Sequence, residues 1–434
     1  MSVDRPNVII VVLDTLRKDY SKGIEELLIR DFGFVGFENA ISTSPWTIPS
    51  HASMFTGLYP LYHRVHESKS RKVPDVKFRE NGTYLHEVLA SVGYTTYLLT
   101  ANFFIGPDFG IRKFKEFRDT LKPLIEDRER EELNRVLKKY EPRNSLELIW
   151  ALVKEKKFTL PIKILLRLLD RYGEGWPRDK GAKVTEKLLL EMPVERPAYI
   201  FINLMEVHEP YSFLEGFTDA PVVKRLLGEE PELVEKWKKG YGRQVRYLEK
   251  RLKRIMEVIE DRNLMENSIV IVTSDHGQLL GEDNRLGHGV FLDDELLRVP
   301  LLIKAREEME ETRNWVSLAK LKPFVLSQIK GEKFDLTSDY VLAESFGTHY
   351  PYSNISKDKL EIVENLEKYR IKLYHNEGKA IFNVEDWTFE NVESENENFE
   401  KKARRIIVRH LSLFTGGNLS ETHGFGYNPH LQQG

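Results

Sequence analysis

Residues 7–14 read Asn7-Val8-Ile9-Ile10-Val11-Val12-Leu13-Asp14. A short, uniformly apolar run rich in β-branched side chains ends abruptly on a carboxylate. Such a run suits a strand buried on both faces, the usual state of a strand inside a parallel sheet. Three similar runs follow, at Thr95–Thr100, Ala198–Leu204 and residues 269–273, and a fifth is expected at 299–303. Between them apolar residues recur at helical spacing. Leu85, Val88, Leu89 and Val92 line one face of 83–92; Val245, Leu248, Leu252, Ile255, Met256 and Ile259 line one face of 241–259. Strands alternating with helices predict an α/β fold, a mostly parallel central sheet with helices on both faces.

The pattern changes twice. Residues from about 120 to 195 are rich in Lys, Arg, Glu and Leu, and predict a helical insertion. After about residue 305, strands are expected at 340–345, 372–374 and 380–383, an amphipathic helix at 401–413 and a tail rich in Gly and Asn from 416. The expected division is therefore a catalytic α/β domain over 1–305 and a smaller C-terminal α+β subdomain with an antiparallel sheet over 306–434.

Composition removes several functions. The 434 residues carry 65 basic and 68 acidic side chains, a formal net charge of -3, so nothing marks a nucleic-acid binder. There is no cysteine, which excludes disulfides, thiolate-bound zinc and a cysteine nucleophile. The apolar run at 8–13 is too short for a secretory leader, and no stretch reaches the roughly 18–20 residues of a membrane span. A cytoplasmic location is the expectation.

Ligands in open α/β sheets bind beyond the carboxyl ends of the strands. The residues there are acids and imidazoles: Asp14 after the first strand, Glu206 and His208 after 198–204, Asp275 and His276 after 269–273. Asn102 follows Thr95–Thr100 and is expected to face the same edge. The stretch from Ser44 to Gly57 adds a hydroxyl, Thr47, just before a short helix expected to open at Pro49 and stop at Gly57. The free N–H groups of a helix start attract anions, so Thr47 stands where a nucleophile could meet a phosphate or sulfate group.

Taken in order, these segments resemble the sulfatase branch of the alkaline-phosphatase superfamily. The resemblance rests on Pro6-Asn7-Val8-Ile9 with Leu13-Asp14-Thr15-Leu16-Arg17, on Pro49-Ser50 with Thr56-Gly57, on Gly93-Tyr94-Thr95, on His208-Glu209-Pro210-Tyr211 and on Thr273-Ser274-Asp275-His276-Gly277. It implies that Asp14, Asp275, His276 and the Thr47 hydroxyl ligate a divalent metal, and that His208 and, with it, His288 of Gly287-His288-Gly289 assist the leaving group. Asn102 and His51 are implied to contact substrate. The chain departs from the family in two places: Thr47 stands where sulfatases have a Cys or Ser that is oxidised to formylglycine, and His51 stands where they have Arg. Oxidised threonine cannot give that aldehyde. The resemblance therefore points to relatives with an unmodified threonine, which act on phosphodiesters or phosphomonoesters of small molecules, glycans or lipids. A phosphoryl-head-group transferase, and a sulfuric ester hydrolase as the family default, are the alternatives. One imidazole among carboxylates favours Mn²⁺ or Zn²⁺, with Mg²⁺ or Ca²⁺ also admitted. One metal is expected rather than two, because Glu206, His208 and His288 make only part of a second ligand set.

Overall fold

Along the chain the strands are β1 (Asn7–Leu13), β2 (Val35–Ile41), β3 (Thr95–Thr100), β4 (Glu116–Asp119), β5 (Ala198–Leu204), β6 (Ser268–Thr273), β7 (Leu279–Leu280), β8 (Leu286–Gly287), β9 (Arg298–Val299), β10 (Leu301–Lys304), β11 (Thr312–Ser317), β12 (Thr337–Ser338), β13 (Tyr340–Ser345), β14 (Arg370–His375), β15 (Gly378–Asn383) and β16 (Thr388–Glu393). The computed structural model describes residues 5–79, 82–120, 135–136, 138–140, 145–155, 179–211, 222–306, 309–310, 312–350 and 360–414.

Ten strands form the main sheet in the order β12-β11-β2-β10-β6-β1-β5-β3-β4, with β9 paired to β2. Strands β6, β1, β5, β3 and β4 run parallel at its heart. Strand β10 enters antiparallel to β6 and β2, so the sheet is mixed but mostly parallel, as the sequence predicts. The sheet extends past residue 305, since β11 pairs in parallel with β2. Register sets the central strand ends nearly flush: Val12 lies opposite Asn203 and Thr273, and Asn203 lies opposite Thr100.

Alternation along β1 feeds two cores. Ile9, Val11 and Leu13 face one side, against Leu248, Leu252 and Ile255 of the helix Val234–Asp261 and Leu189 of the helix Ala182–Glu191. Val8, Ile10 and Val12 face the other, against Met54 and Phe55 of the helix Thr47–Thr56 and Leu85 and Leu89 of the helix Leu85–Ser91. Each such side chain is completely or almost completely buried, worth roughly 1.5–3 kcal/mol apiece. That burial fixes the height at which β1 ends, and with it Asp14.

The four-stranded antiparallel sheet β13-β14-β15-β16 follows, backed by the helix Phe399–Phe414. Its joint to the main body is polar. Buried Glu344 on β13 accepts the Leu61 amide at 2.7 Å and is held by His410 of the last helix. Of the expected helical insertion, the helices Ser145–Lys154 and Ala182–Glu191 are described; residues 121–134, 141–144 and 156–178, and the tail from 415, lie outside the described residues.

Candidate active site

The turn after β1 is strained. Thr15 adopts φ +62°, a left-handed conformation that a β-branched side chain rarely takes. This points its amide at Asp275 Oδ1, at 3.1 Å, while its carbonyl accepts the Tyr241 hydroxyl at 2.8 Å. Asp275 Oδ1 also accepts the His276 amide at 2.9 Å. Across the strand ends, Asp14 Oδ2 accepts Asn102 Nδ2 at 2.6 Å and Asn203 Nδ2 at 3.2 Å. One oxygen of each acid is thus occupied. The others, Asp14 Oδ1 and Asp275 Oδ2, are buried without a hydrogen-bond partner. Burial, and for Asp14 the neighbouring Asp275 charge, pushes both carboxyls up to about 6. Two desolvated acids sharing a site are costly unless a positive charge meets them.

His276 completes the group. Its Nδ1 donates to the Gly277 carbonyl at 2.8 Å, which leaves the Nε2 lone pair 3.4 Å from Asp275 Oδ2. Burial lowers this imidazole to about 4, so it stays neutral. Asp14, Asp275 and His276 each place a ligand atom within 4.8 Å of the others. Two carboxylates with free oxygens and one imidazole with a free nitrogen fit a divalent cation. Gly277 is required by close approach, because a Cβ there would meet the Glu295 carbonyl oxygen at 1.9 Å.

Thr47 reaches the same point. The helix begins at Thr47 itself rather than after it, with Pro49 within its first turn and Gly57 capping its end at φ +76°. No side chain caps the N-terminus. Thr47 Oγ1 lies 3.3 Å from His276 Nε2. His51, one turn on, is completely buried and pushed down to about 3 by that burial. Its Nδ1 donates to the Thr47 carbonyl at 2.9 Å and lies 3.6 Å from Asp275 Oδ2, while Nε2 accepts Asn203 Nδ2 at 3.4 Å. It stands behind the acids as a brace, away from the described lining of the cavity.

Above the acids lies a cavity of about 180 Å³ whose lining includes Thr47, Asn102, His208 and His288. His208 Nδ1 donates to the Glu209 carbonyl at 2.7 Å. Burial opposes its charge, but the Glu209 and Asp14 carboxylates outweigh burial and raise its pKa. His288 Nδ1 donates to Gln278 Oε1 at 2.7 Å, and Gln278 Nε2 in turn donates to Glu209 Oε2 at 2.9 Å. Burial keeps His288 neutral. Both rings therefore present Nε2 as their unengaged nitrogen.

The model of the family described as Sulfatase matches residues 6–328. The chain belongs to the sulfatase family. A low-salt glycan biosynthesis sulfotransferase of Haloferax volcanii is 28% identical over 145 residues, 32% of this chain and 35% of that protein. The match thus spans about a third of that relative's length. Among solved structures, the phosphonate monoester hydrolase of Silicibacter pomeroyi superposes with a TM-score of 0.62 at 15% identity, covering 94% of this chain and 96% of that one. A 2-O GAG sulfatase superposes with a TM-score of 0.59 at 15% identity, covering 95% and 92%. At such identity these likenesses show the fold.

In this sulfatase-family chain the fold brings Asp14, Thr47, Asn102, Asp275 and His276 to one point, with His208 and His288 above them. Glu206, at the same sheet edge, is buried instead among the backbone amides of Lys180 at 3.1 Å and Ala182 at 2.8 Å, where it anchors the helix Ala182–Glu191. Lining residues that the sequence reading gave no role include Trp46, Arg225 and His349. Trp46 sits next to Thr47, and its ring stacks on His349 at 4.8 Å between centroids. His349 arrives from the loop after β13, and burial lowers it to about 3. The signal available for it was an imidazole in Gly347-Thr348-His349-Tyr350 just beyond a strand.

Proposed function

We propose that this sulfatase-family protein is a metal-dependent hydrolase of phosphoric esters, phosphodiesters or phosphomonoesters, with Thr47 as its nucleophile. The observation that carries the reading is the hydroxyl of Thr47 beside His276 Nε2 at 3.3 Å, above two acids whose free oxygens have no protein partner. A single divalent ion, Mn²⁺ or Zn²⁺ by preference, would be held by Asp14, Asp275, His276 and the Thr47 oxygen. When bound it lowers the pKa of that hydroxyl and polarises a phosphoryl oxygen.

The chain's own groups do the rest. Thr47 loses its proton to solvent, and its oxygen attacks phosphorus in line. The Oγ1–P bond forms as the bond from phosphorus to the leaving oxygen breaks. His208, whose pKa Glu209 and Asp14 raise, gives that oxygen its proton. Water then attacks the phospho-threonine. Neutral His208 takes a proton from the water, and the Thr47 oxygen departs and is reprotonated. The uncapped first turn of the helix Thr47–Thr56 directs backbone N–H groups toward negative charge building on the phosphoryl oxygens.

The test is turnover of p-nitrophenyl phosphate and bis-p-nitrophenyl phosphate in Mn²⁺ or Zn²⁺, beside p-nitrophenyl sulfate. Absence of phosphate-ester turnover with every divalent metal sinks the proposal, and turnover of the sulfate alone replaces it with sulfuric ester hydrolysis. A transfer reading is favoured by the name of the Haloferax volcanii relative, a glycan sulfotransferase. Product analysis with an added alcohol separates the two: transfer product exceeding hydrolysis product establishes the transferase.

A further inference from the structure

One cation on the cavity wall has no ion-pair partner among the described residues. Arg225, on the helix Val222–Leu226, lines the same cavity as Thr47. It forms no ion pair with any described residue, and its Nε is buried without a hydrogen-bond partner. Arg17 and Arg251, by contrast, have carboxylate partners: Arg17 pairs with Asp19 at 2.8 Å and Glu282 at 2.7 Å, and Arg251 pairs with Glu186 at 3.1 Å. The carboxylate sharing the cavity wall, Glu209, attracts Arg225 from beyond ion-pair distance. It is already committed to Gln278 at 2.9 Å and lies 3.4 Å from the His208 ring.

The guanidinium is nonetheless held in place. Its carbon sits 5.2 Å above the ring of the completely buried Trp237. The adjacent Leu226 is buried against Val290 and Leu366, which ties the short helix to the body. A guanidinium held in place with no carboxylate beside it is suited to meet an anion, and its planar fork matches a carboxylate, sulfate or phosphate through two parallel hydrogen bonds. An engineered cavity of about 150 Å³ holds benzene, so the cavity here, about 180 Å³, has room for about one ring. Trp46, Phe103, Phe104 and Tyr350 give that ring apolar walls.

Building on the proposed function, we infer that the substrate carries a second anionic group on its leaving portion and that Arg225 binds it. The substrate class is then a ring-bearing ester with an additional carboxylate, sulfate or phosphate.

Two non-hydrolysable ligands test this on the full chain loaded with Mn²⁺: phenylphosphonate and 3-carboxyphenylphosphonate, titrated calorimetrically. Wild type is expected to bind the carboxylated ligand at least about tenfold more tightly. In Arg225→Met the ratio of the two Kd values should fall to within about threefold of unity, and Arg225→Lys, which keeps the charge but not the fork, should fall between. Thermal melting of each variant checks that it is folded. Equal binding of the two ligands by wild type, or a preference that persists in folded Arg225→Met, overturns the subsite while leaving the proposed hydrolase standing. If neither phosphonate binds and no phosphate ester is turned over, the reading of the whole site fails, and the subsite with it.

Discussion

Asn102 Nδ2 donates to Asp14 Oδ2 at 2.6 Å, and this bond turns the other oxygen of the same carboxylate, Oδ1, toward a space where no protein group meets it. An amide that orients a ligand in this way tunes affinity without touching the ion. Asn102→Ala is expected to weaken Mn²⁺ binding by roughly 10–100-fold, and Asp14→Asn by more. Calorimetric metal titration checks this without requiring turnover. Unchanged affinity in Asn102→Ala would remove the orienting role.

Thr47 carries the chemistry in the proposed reaction, and its removal should separate chemistry from metal binding. Thr47→Ala is expected to lose at least about 10³-fold in kcat, the scale seen when a covalent nucleophile is removed. Three protein ligands remain, so it should still bind metal. Thr47→Ser keeps the hydroxyl and should retain measurable turnover. Wild-type rates in Thr47→Ala would transfer the nucleophile to another group.

The sheet interior was legible because its physics is local. Strands β1, β3, β5 and β6 are rich in apolar, β-branched and aromatic residues and buried along nearly their whole length, so composition marks them, and their parallel arrangement puts Asp14, Asn102, Asp275 and His276 at one edge. Strands β2 and β11 were not. Val35–Ile41 contains Gly36, Glu38 and Asn39, and Thr312–Ser317 begins Thr-Arg-Asn; both lie away from the sheet centre, where one face can stay polar. The fourth strand of the small sheet, Thr388–Glu393, is largely exposed and was missed for the same reason. His349 and Arg225 could not be placed from sequence, because each reaches the cavity only through packing of the C-terminal sheet or a short helix against the main body. The start of the helix Thr47–Thr56 was misread by two residues: Pro49 marks a first turn without fixing which residue of it comes first.

Gly277 follows His276, and its lack of a side chain lets the Glu295 carbonyl approach. In Gly277→Ala the new methyl would meet that oxygen at 1.9 Å and the backbone must shift. The expected cost is roughly 1–3 kcal/mol of stability, the usual range for overpacking, with His276 displaced from Thr47. A lower urea midpoint together with weaker Mn²⁺ binding is the expected pair of results. Loss of stability alone would show that the loop yields without moving His276.

Glu67 links the helix Thr47–Thr56 to the C-terminal sheet. Its carboxylate accepts the Trp46 indole N–H at 2.6 Å and the Phe346 amide at 3.0 Å, so it holds the residue preceding Thr47 against the segment that delivers His349. Complete burial is the main cause that pushes its carboxyl from an ordinary 4.5 up to about 7. A carboxyl with a raised native pKa binds its proton more tightly in the folded state. Its contribution to stability is therefore full below about pH 4.5 and is lost as pH rises through about 7. The loss is on the order of 2–4 kcal/mol at most. Glu67→Gln keeps an acceptor without a titrating proton, so it should flatten this part of the profile. Urea unfolding at about pH 5 and about pH 8, with Mn²⁺ present to satisfy Asp14 and Asp275, measures the difference. The midpoint should fall further between the two pH values in wild type than in Glu67→Gln. Equal falls in the two proteins would show that Glu67 is ionised throughout, and that the two N–H donors, rather than a proton, stabilise it at the joint.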